Sequence, residues 1–322
     1  MRAQERPALA ERVRQALRLP AGARGRLDRA LADALGIGRA AVKEAFALGL
    51  VRQGGRRARA SDPAVPGAEV EIAFEARAGP PVPEPVLPLT VLAEGPGFLV
   101  LDKPAGQATH PLRAGELGTL ANAVQARFPE CASASPDSRD GGALQRLDRD
   151  TSGCVLFARS RAAFLSLRAQ FAARTVEKRY RALVAGRLAA GGVCSIPLAQ
   201  RGGRVVPVPD PERPPKALGK PREALTHYEV LEVYPEHTLL EVRIVTGVMH
   251  QIRAHLAALG HPVAGDELYG GAAAALPGLG RHFLHASFLG FERPEGGREE
   301  VVAKLPAELQ EALAGLDPVR AR

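Results

Sequence analysis

The chain has 322 residues, 46% hydrophobic and 24% charged, an ordinary globular balance that excludes wholesale disorder and suggests two domains. No run approaches the roughly 18 apolar residues of a membrane span, and the basic start lacks the apolar core and cleavage site of a secretory signal. The net charge of +8 lies in the N-terminal fifth, where residues 1–60 hold 14 Lys and Arg against 5 Asp and Glu; this is either the footprint of a nucleic-acid-binding appendage or a solubilising tail.

Residues 1–24 read as a basic extension. RLDRALADAL (26–35) then sets Leu27, Ala30, Leu31, Ala34 and Leu35 on one helical face, with Gly36 as a stop. A second short helix, 39–48, carries Val42, Ala45 and Phe46. Gln53-Gly54-Gly55 forms a tight turn, Arg56, Arg57 and Arg59 follow, and AEVEIAF alternates as a strand after Pro66-Gly67. Two helices and a small hairpin make a compact unit over 25–75. Its candidate nucleic-acid-contacting residues are Arg26, Arg39, Lys43, Arg52, Arg56 and Arg57.

Residues 79–88, GPPVPEPVLP, hold five prolines, so 76–88 reads as an extended linker. Beyond it VLAEGPGFLVLDKP predicts two short strands around a turn, 118–128 a helix, and 130–142 a polar loop. CVLFA (154–158) predicts a buried strand, 161–174 an amphipathic helix, and KRYRALVAG another strand. Residues 201–222, with six prolines, predict a long surface loop. A hairpin around Pro235-Glu236-His237 and a short helix over 250–259 complete the pattern. Strand runs with occasional helices predict an α+β domain over 89–322 with a mixed, mostly antiparallel sheet. Cys131, Cys154 and Cys194 stand far apart without a CxxC, which argues against a disulfide framework and a zinc ribbon and points to a reducing cytoplasm.

Three segments carry candidate chemistry. In Gln145-Arg146-Leu147-Asp148-Arg149-Asp150-Thr151-Ser152-Gly153 a polar loop runs straight into an apolar strand, which places side chains at a sheet edge. Arginines beside a carboxylate hold it ionised; the plain alternative is a solvated turn with local ion pairs. In Thr246-Gly247-Val248-Met249-His250-Gln251-Ile252-Arg253, His250 and Arg253 are three apart and share a helix face; a helix N-terminus with structural hydrogen bonds would look the same. In Lys178-Arg179-Tyr180-Arg181-Ala182, alternation points Lys178, Tyr180 and Ala182 to one face, as for a catalytic tyrosine or a core one. His250, His255 and His261 lack the spacing of a metal site.

The ordered set LDKPAG (101–106), QRLDRDTSG, EKRYRALVAG, TGVMHQIRAHLAALGHPVAGDELYG and LHASFLGF resembles the RluA-type pseudouridine synthases over about residues 89–307. RLDRAL, GLVRQGGRR and VPGAEVEI resemble the small RNA-binding module of ribosomal protein S-four, the alpha-L motif, over about 25–75. The resemblance implies an RNA pseudouridine synthase, an isomerase needing no cofactor and no metal, with Asp148 as catalytic aspartate. It implies that Tyr180 lies against the target base, that Arg253 pairs with Asp148, and that Arg146 enters the space left by the flipped base. Arg149 and His250 are further expected RNA contacts. Expected partners are RNA, with large-subunit ribosomal RNA favoured over tRNA on analogy alone, and the protein is expected to be a cytoplasmic monomer. The family usually has His at Gln145 and Arg-Thr or Arg-Ser at Val248-Met249, which puts target choice and rate in question more than reaction type. A non-catalytic ribosome-assembly factor and a hydrolase using Asp148 with His250 are the rival readings.

Overall fold

The computed structural model describes residues 12–35, 39–75, 79–113, 115–213, 215 and 218–316. The chain divides into two compact units, Met1–Gly79 and Pro80–Arg322. The first holds β1 (Arg12–Arg18), α1 (Leu27–Leu35), α2 (Arg39–Ala47), β2 (Val51–Gln53), β3 (Arg56–Arg57) and β4 (Glu69–Glu75). Its antiparallel sheet runs β1-β4-β2-β3. Leu27 and Leu31 of α1, Val42 and Phe46 of α2, and Val51, Val70 and Ile72 of the sheet form its core. Residues 12–18, expected within a basic extension, instead pair along β4, with Leu17 opposite Val70. Arginines at 12, 14 and 18 mask a period-two pattern in which Leu17 and Leu19 turn to the core. Gly36, the expected helix stop, lies outside the described residues.

The second unit holds β5 (Thr90–Glu94), β6 (Phe98–Lys103), α3 (Leu120–Arg127), β7 (Ser152–Ala158), α4 (Arg161–Ala173), β8 (Glu177–Ala185), β9 (Gly192–Cys194), β10 (Leu198–Arg201), β11 (Arg204–Pro207), β12 (Thr226–Val233), β13 (His237–Ile244), α5 (Gln251–Ala258), β14 (Leu284–Glu292), β15 (Arg298–Val302) and α6 (Ala307–Ala314). Its nine-stranded sheet runs β5-β6-β7-β14-β8-β13-β12-β9, with β15 beside the far half of β14. The β7–β14 pair is parallel and the others are antiparallel. Both faces are covered. Leu99, Leu101, Val155 and Phe157 pack with α3, α5 and α6, while Phe98, Val100, Leu156 and Ala158 pack under α4. Burial on both faces explains why CVLFA is continuously apolar rather than alternating.

Two expectations change here. The proline-rich segment is fastened to the second unit rather than free: Asn122 Nδ2 donates to the Val82 carbonyl at 2.8 Å, and Glu84 accepts from the Gly118 amide at 2.7 Å. The expected loop at 201–222 begins with the β10–β11 hairpin, because Gly202-Gly203 closes a two-residue turn between arginines paired in register.

Gly153 shows how tightly the second sheet constrains its site-bearing loop. It enters β7 at φ +109, and a Cβ there would stand 2.2 Å from the Ala286 carbonyl oxygen of β14. Only glycine permits both the angle and the approach. Gly153→Ala is therefore expected to destabilise the unit by about 1–3 kcal/mol, lowering Tm by roughly 2–4 °C per kcal/mol. A thermal melt equal to wild type would contradict this.

Candidate active site

The loop 145–151 leads into β7 and carries Asp148. It is tied down on every side. The Leu147 amide donates to Thr109 Oγ1 at 3.1 Å, and that hydroxyl donates to the Leu147 carbonyl at 3.3 Å. Lys103, fully buried at the end of β6, donates to the Pro104, Gln107 and Arg149 carbonyls at 2.7, 2.7 and 2.9 Å. Burial pushes its ammonium down to about 7, against the pull of Asp150. Arg281 Nη1 donates to the Asp150 carbonyl at 2.9 Å, and Thr151 Oγ1 meets His282 Nε2 at 2.8 Å. A loop held this firmly presents its carboxylate at a set position.

Arg253, on the first turn of α5, spans two carboxylates. Its Nη1 donates to Asp148 Oδ2 at 2.9 Å, while Nε and Nη2 donate to Asp266 at 2.7 and 2.9 Å. Asp266 is inaccessible and also accepts from the Leu268 and Tyr269 amides. Asp148 keeps 21% of its side-chain exposure and opens to the cleft. Burial lowers the tendency of Arg253 to stay charged, but the hydrogen bonds and charges of Asp266 and Asp148 outweigh it and raise its pKa. Burial likewise raises the Asp266 carboxyl, and its bonds to Arg253 more than reverse that, leaving its pKa depressed. The geometry is a fixed cation holding one open carboxylate and one closed one.

The cleft over this pair is about 430 Å³ in volume. Tyr180, Arg146, Lys178, Gln145, Val248 and Met249 are among its lining residues. Tyr180 lies on the same face of β8 as Lys178 and Ala182, all three buried. Burial, then the charge of Asp148, pushes its phenol well above the ordinary value, so it stays protonated. Arg146 is exposed on the cleft rim. Arg149 instead turns away and donates to the Gly106 carbonyl at 3.1 Å. His250, expected as an RNA contact, places Nε2 3.8 Å from Asp148 Oδ1. Gln145 donates to the Cys154 carbonyl at 3.4 Å. Val248 and Met249 pack against Leu198 and Val205 of the β10–β11 hairpin. In the first unit Lys43, Arg52, Arg56 and Arg57 are exposed. Arg26 is also exposed and pairs with Asp28 at 3.0 Å; the side chain of Arg39 lies outside the described residues.

Sequence reasoning passed over Asp266, Lys103 and His282. Asp266 stands within GDELYG, a segment quoted for its resemblance and given no role. An acid 13 residues beyond Arg253 shares no helical face with it, so spacing offers no signal. Among the described residues no group of three or more His, Cys, Asp or Glu could hold a metal ion, and no helix is long and apolar enough to cross a membrane.

The histidines around the site set a pH dependence of stability. Burial, helped by the charge of Arg253, pushes His282 down from 6.5 to about 4, and burial also lowers His255 and His285. The unfolded chain therefore binds more protons than the native one between those values. Stability is fully present above about pH 6.5 and falls as pH drops towards about 4, with a slope approaching 1.4 kcal/mol per pH unit for His282 alone. Denaturant melts at pH 7.5, 6 and 5 check this; equal unfolding free energies would refute it.

The sequence profile of the RNA pseudouridylate synthases matches residues 97–258. An uncharacterized RNA pseudouridine synthase of Chloroflexus aurantiacus is 40% identical over 300 residues, covering 90% of each chain. The ribosomal large subunit pseudouridine synthase D of Xanthomonas campestris pv. campestris is 38% identical over 248 residues, covering 73% of this chain and 72% of that protein. Human RNA pseudouridylate synthase domain containing 1 superposes with a TM-score of 0.57 at 26% identity, covering 74% of this chain and 91% of that one.

Proposed function

This chain belongs to the RNA pseudouridylate synthase family, and on that premise we propose that it isomerises uridines of large-subunit ribosomal RNA with Asp148 as the reacting carboxylate. The observation that carries the reading is the 2.9 Å bond from Arg253 to Asp148 at the mouth of a cleft lined by Tyr180. The enzyme is an isomerase. The bond between ribose and the uracil nitrogen breaks, the base turns, and a carbon of the base joins the ribose; that carbon gives up its proton and the freed nitrogen takes one up. No electrons leave the substrate.

In this reading Arg253 aims Asp148 by holding its Oδ2 at 2.9 Å. Asp148 either attacks the anomeric carbon or takes the ribose 2′ proton. The target base leaves its stack to reach the cleft, where the Tyr180 ring offers a stacking face and its protonated hydroxyl a hydrogen-bond donor. A phenol held this far from ionisation acts as a base only if it passes its own proton on. Arg146 at the rim is placed to fill the gap left by the flipped base. The ribosomal target rests on the names of similar proteins such as the Xanthomonas enzyme. Residues 25–75 read as an alpha-L RNA anchor, a reading supported by the two helices, the strands β2 to β4 and the exposed arginines at 52, 56 and 57.

The test is chemical mapping of pseudouridine in cellular RNA with and without the gene, paired with tritium release from base-labelled transcripts by the purified chain. Loss of one or more pseudouridines from large-subunit RNA is expected. Loss confined to tRNA would overturn the ribosomal target, and no loss together with no tritium release would bring the assembly-factor reading forward.

A further inference from the structure

Arg253 holds only one oxygen of Asp148. The other, Oδ1, faces His250. This histidine stands at the N-cap of α5 in the left-handed region, at φ +53, a strained conformation for a non-glycine residue that tends to be kept where it aims a side chain. The ring stands edge-on to Tyr269 at 90°, with centroids 5.8 Å apart. Its Nδ1 lies 3.1 Å from the Tyr269 hydroxyl. That hydroxyl oxygen accepts the Val205 amide of β11 at 3.0 Å.

Proton bookkeeping along this chain leaves one arrangement that satisfies every group. A backbone amide can only donate, so Val205 occupies the phenol oxygen as acceptor. The phenol proton is then free for Nδ1, which must accept it. A neutral imidazole that accepts at Nδ1 carries its own proton on Nε2, 3.8 Å from Asp148 Oδ1. We infer that Tyr269, anchored by the β10–β11 hairpin, locks His250 as the Nε2–H tautomer and makes it a second positioning residue for Asp148, on the oxygen that Arg253 does not hold. Contacts of this kind are often long without substrate and tighten when it binds.

The charges around His250 fit a neutral ring. Burial lowers its pKa, Asp148 and Asp266 pull it up, and Arg253 and Arg146 push it down, with a net fall. Tyr269 is held from its other side as well, since the Arg253 guanidinium lies 5.2 Å over its ring. The hairpin seats on Ala254, Val248 and Met249 through Leu198 and Val205. Val248 and Met249, two of the positions that depart from the usual family pattern, are thus part of the seat that holds this chain of contacts.

The tautomer stands apart from the proposed reaction, while the positioning role rests on Asp148 being the reacting group. Nitrogen NMR of the full-length chain labelled with 15N-histidine, with His250 assigned through His250→Gln, decides the first. Wild type should show a pyridine-type Nδ1 and a pyrrole-type Nε2. Tyr269→Phe keeps the ring over Arg253 and removes the hydroxyl, so the two nitrogens should move towards a tautomer mixture. In tritium release, Tyr269→Phe should lower kcat about tenfold and His250→Ala up to about a hundredfold, with KM within about twofold of wild type. His250→Gln, which keeps a side-chain N–H donor, should recover part of that loss. A wild-type Nδ1–H tautomer, or an unmoved tautomer in Tyr269→Phe, overturns the inference. Unchanged kcat in His250→Ala overturns the positioning role. A wild-type chain that releases no tritium defeats the reaction proposed above and leaves the nitrogen shifts to decide the tautomer.

Discussion

Asp148→Asn should abolish turnover, by about 10⁴-fold or more as expected when a reacting group is removed, while RNA affinity and fold persist. The amide keeps the size of the carboxylate and can still accept from Arg253 Nη1, but it has no negative charge to attack ribose or take a proton. Stability should change little, because Arg253 retains its two bonds to Asp266 at 2.7 and 2.9 Å and stays neutralised. Tritium release measures the rate, filter binding the affinity and a thermal melt the fold. Appreciable turnover by this variant would sink the role of Asp148 and bring the assembly-factor or hydrolase reading forward.

Arg253→Ala should lose turnover and stability together. The guanidinium is the shared cation of two carboxylates, and its removal strands Asp266, whose side chain is inaccessible. Breaking a buried pair by deleting one partner costs roughly 3–5 kcal/mol. That penalty falls on Asp266 more than on Asp148, which opens to the cleft and is solvated there. Arg253→Lys should restore part of the stability but little of the rate, since one ammonium cannot span both carboxylates with the planar fork of arginine. Combining Arg253→Ala with Asp266→Asn should recover stability without activity, because the stranded charge is gone while Asp148 remains unheld. Melting temperatures of the three variants separate these outcomes; an Arg253→Ala protein as stable as wild type would refute the shared-cation account.

Much of the fold was legible locally. The amphipathic helix predicted over 161–174 and observed as α4 declared itself by periodicity, as did the strand carrying Tyr180 and the hairpin around Pro235-Glu236-His237. Strand β1 was hidden by its own arginines, and the β10–β11 hairpin by a proline-rich neighbourhood that reads as loop. Period and turn residues report one segment at a time, so they place a side chain on a face but not opposite a partner.

The candidate site divides along the same line. By itself the chain offered the candidate site residues: Asp148 in a polar loop ending in a strand, Tyr180 on the inward phase of a strand, Arg253 on the first turn of a helix. Ordered motifs, more than any spacing, linked the three. The tertiary structure alone decided that Arg253 answers to two acids, that Lys103 ties the Asp148 loop, through the Arg149 carbonyl, to the segment 104–107, and that His250 turns to Asp148 with its other nitrogen on Tyr269. Apart from the local Lys103 bonds to Pro104 and Gln107, these contacts join residues 13 to 105 positions apart. Their energy comes from charges and donors brought together in a drained interior, where an unpaired group would be costly. That requirement acts only once the sheet has closed over them.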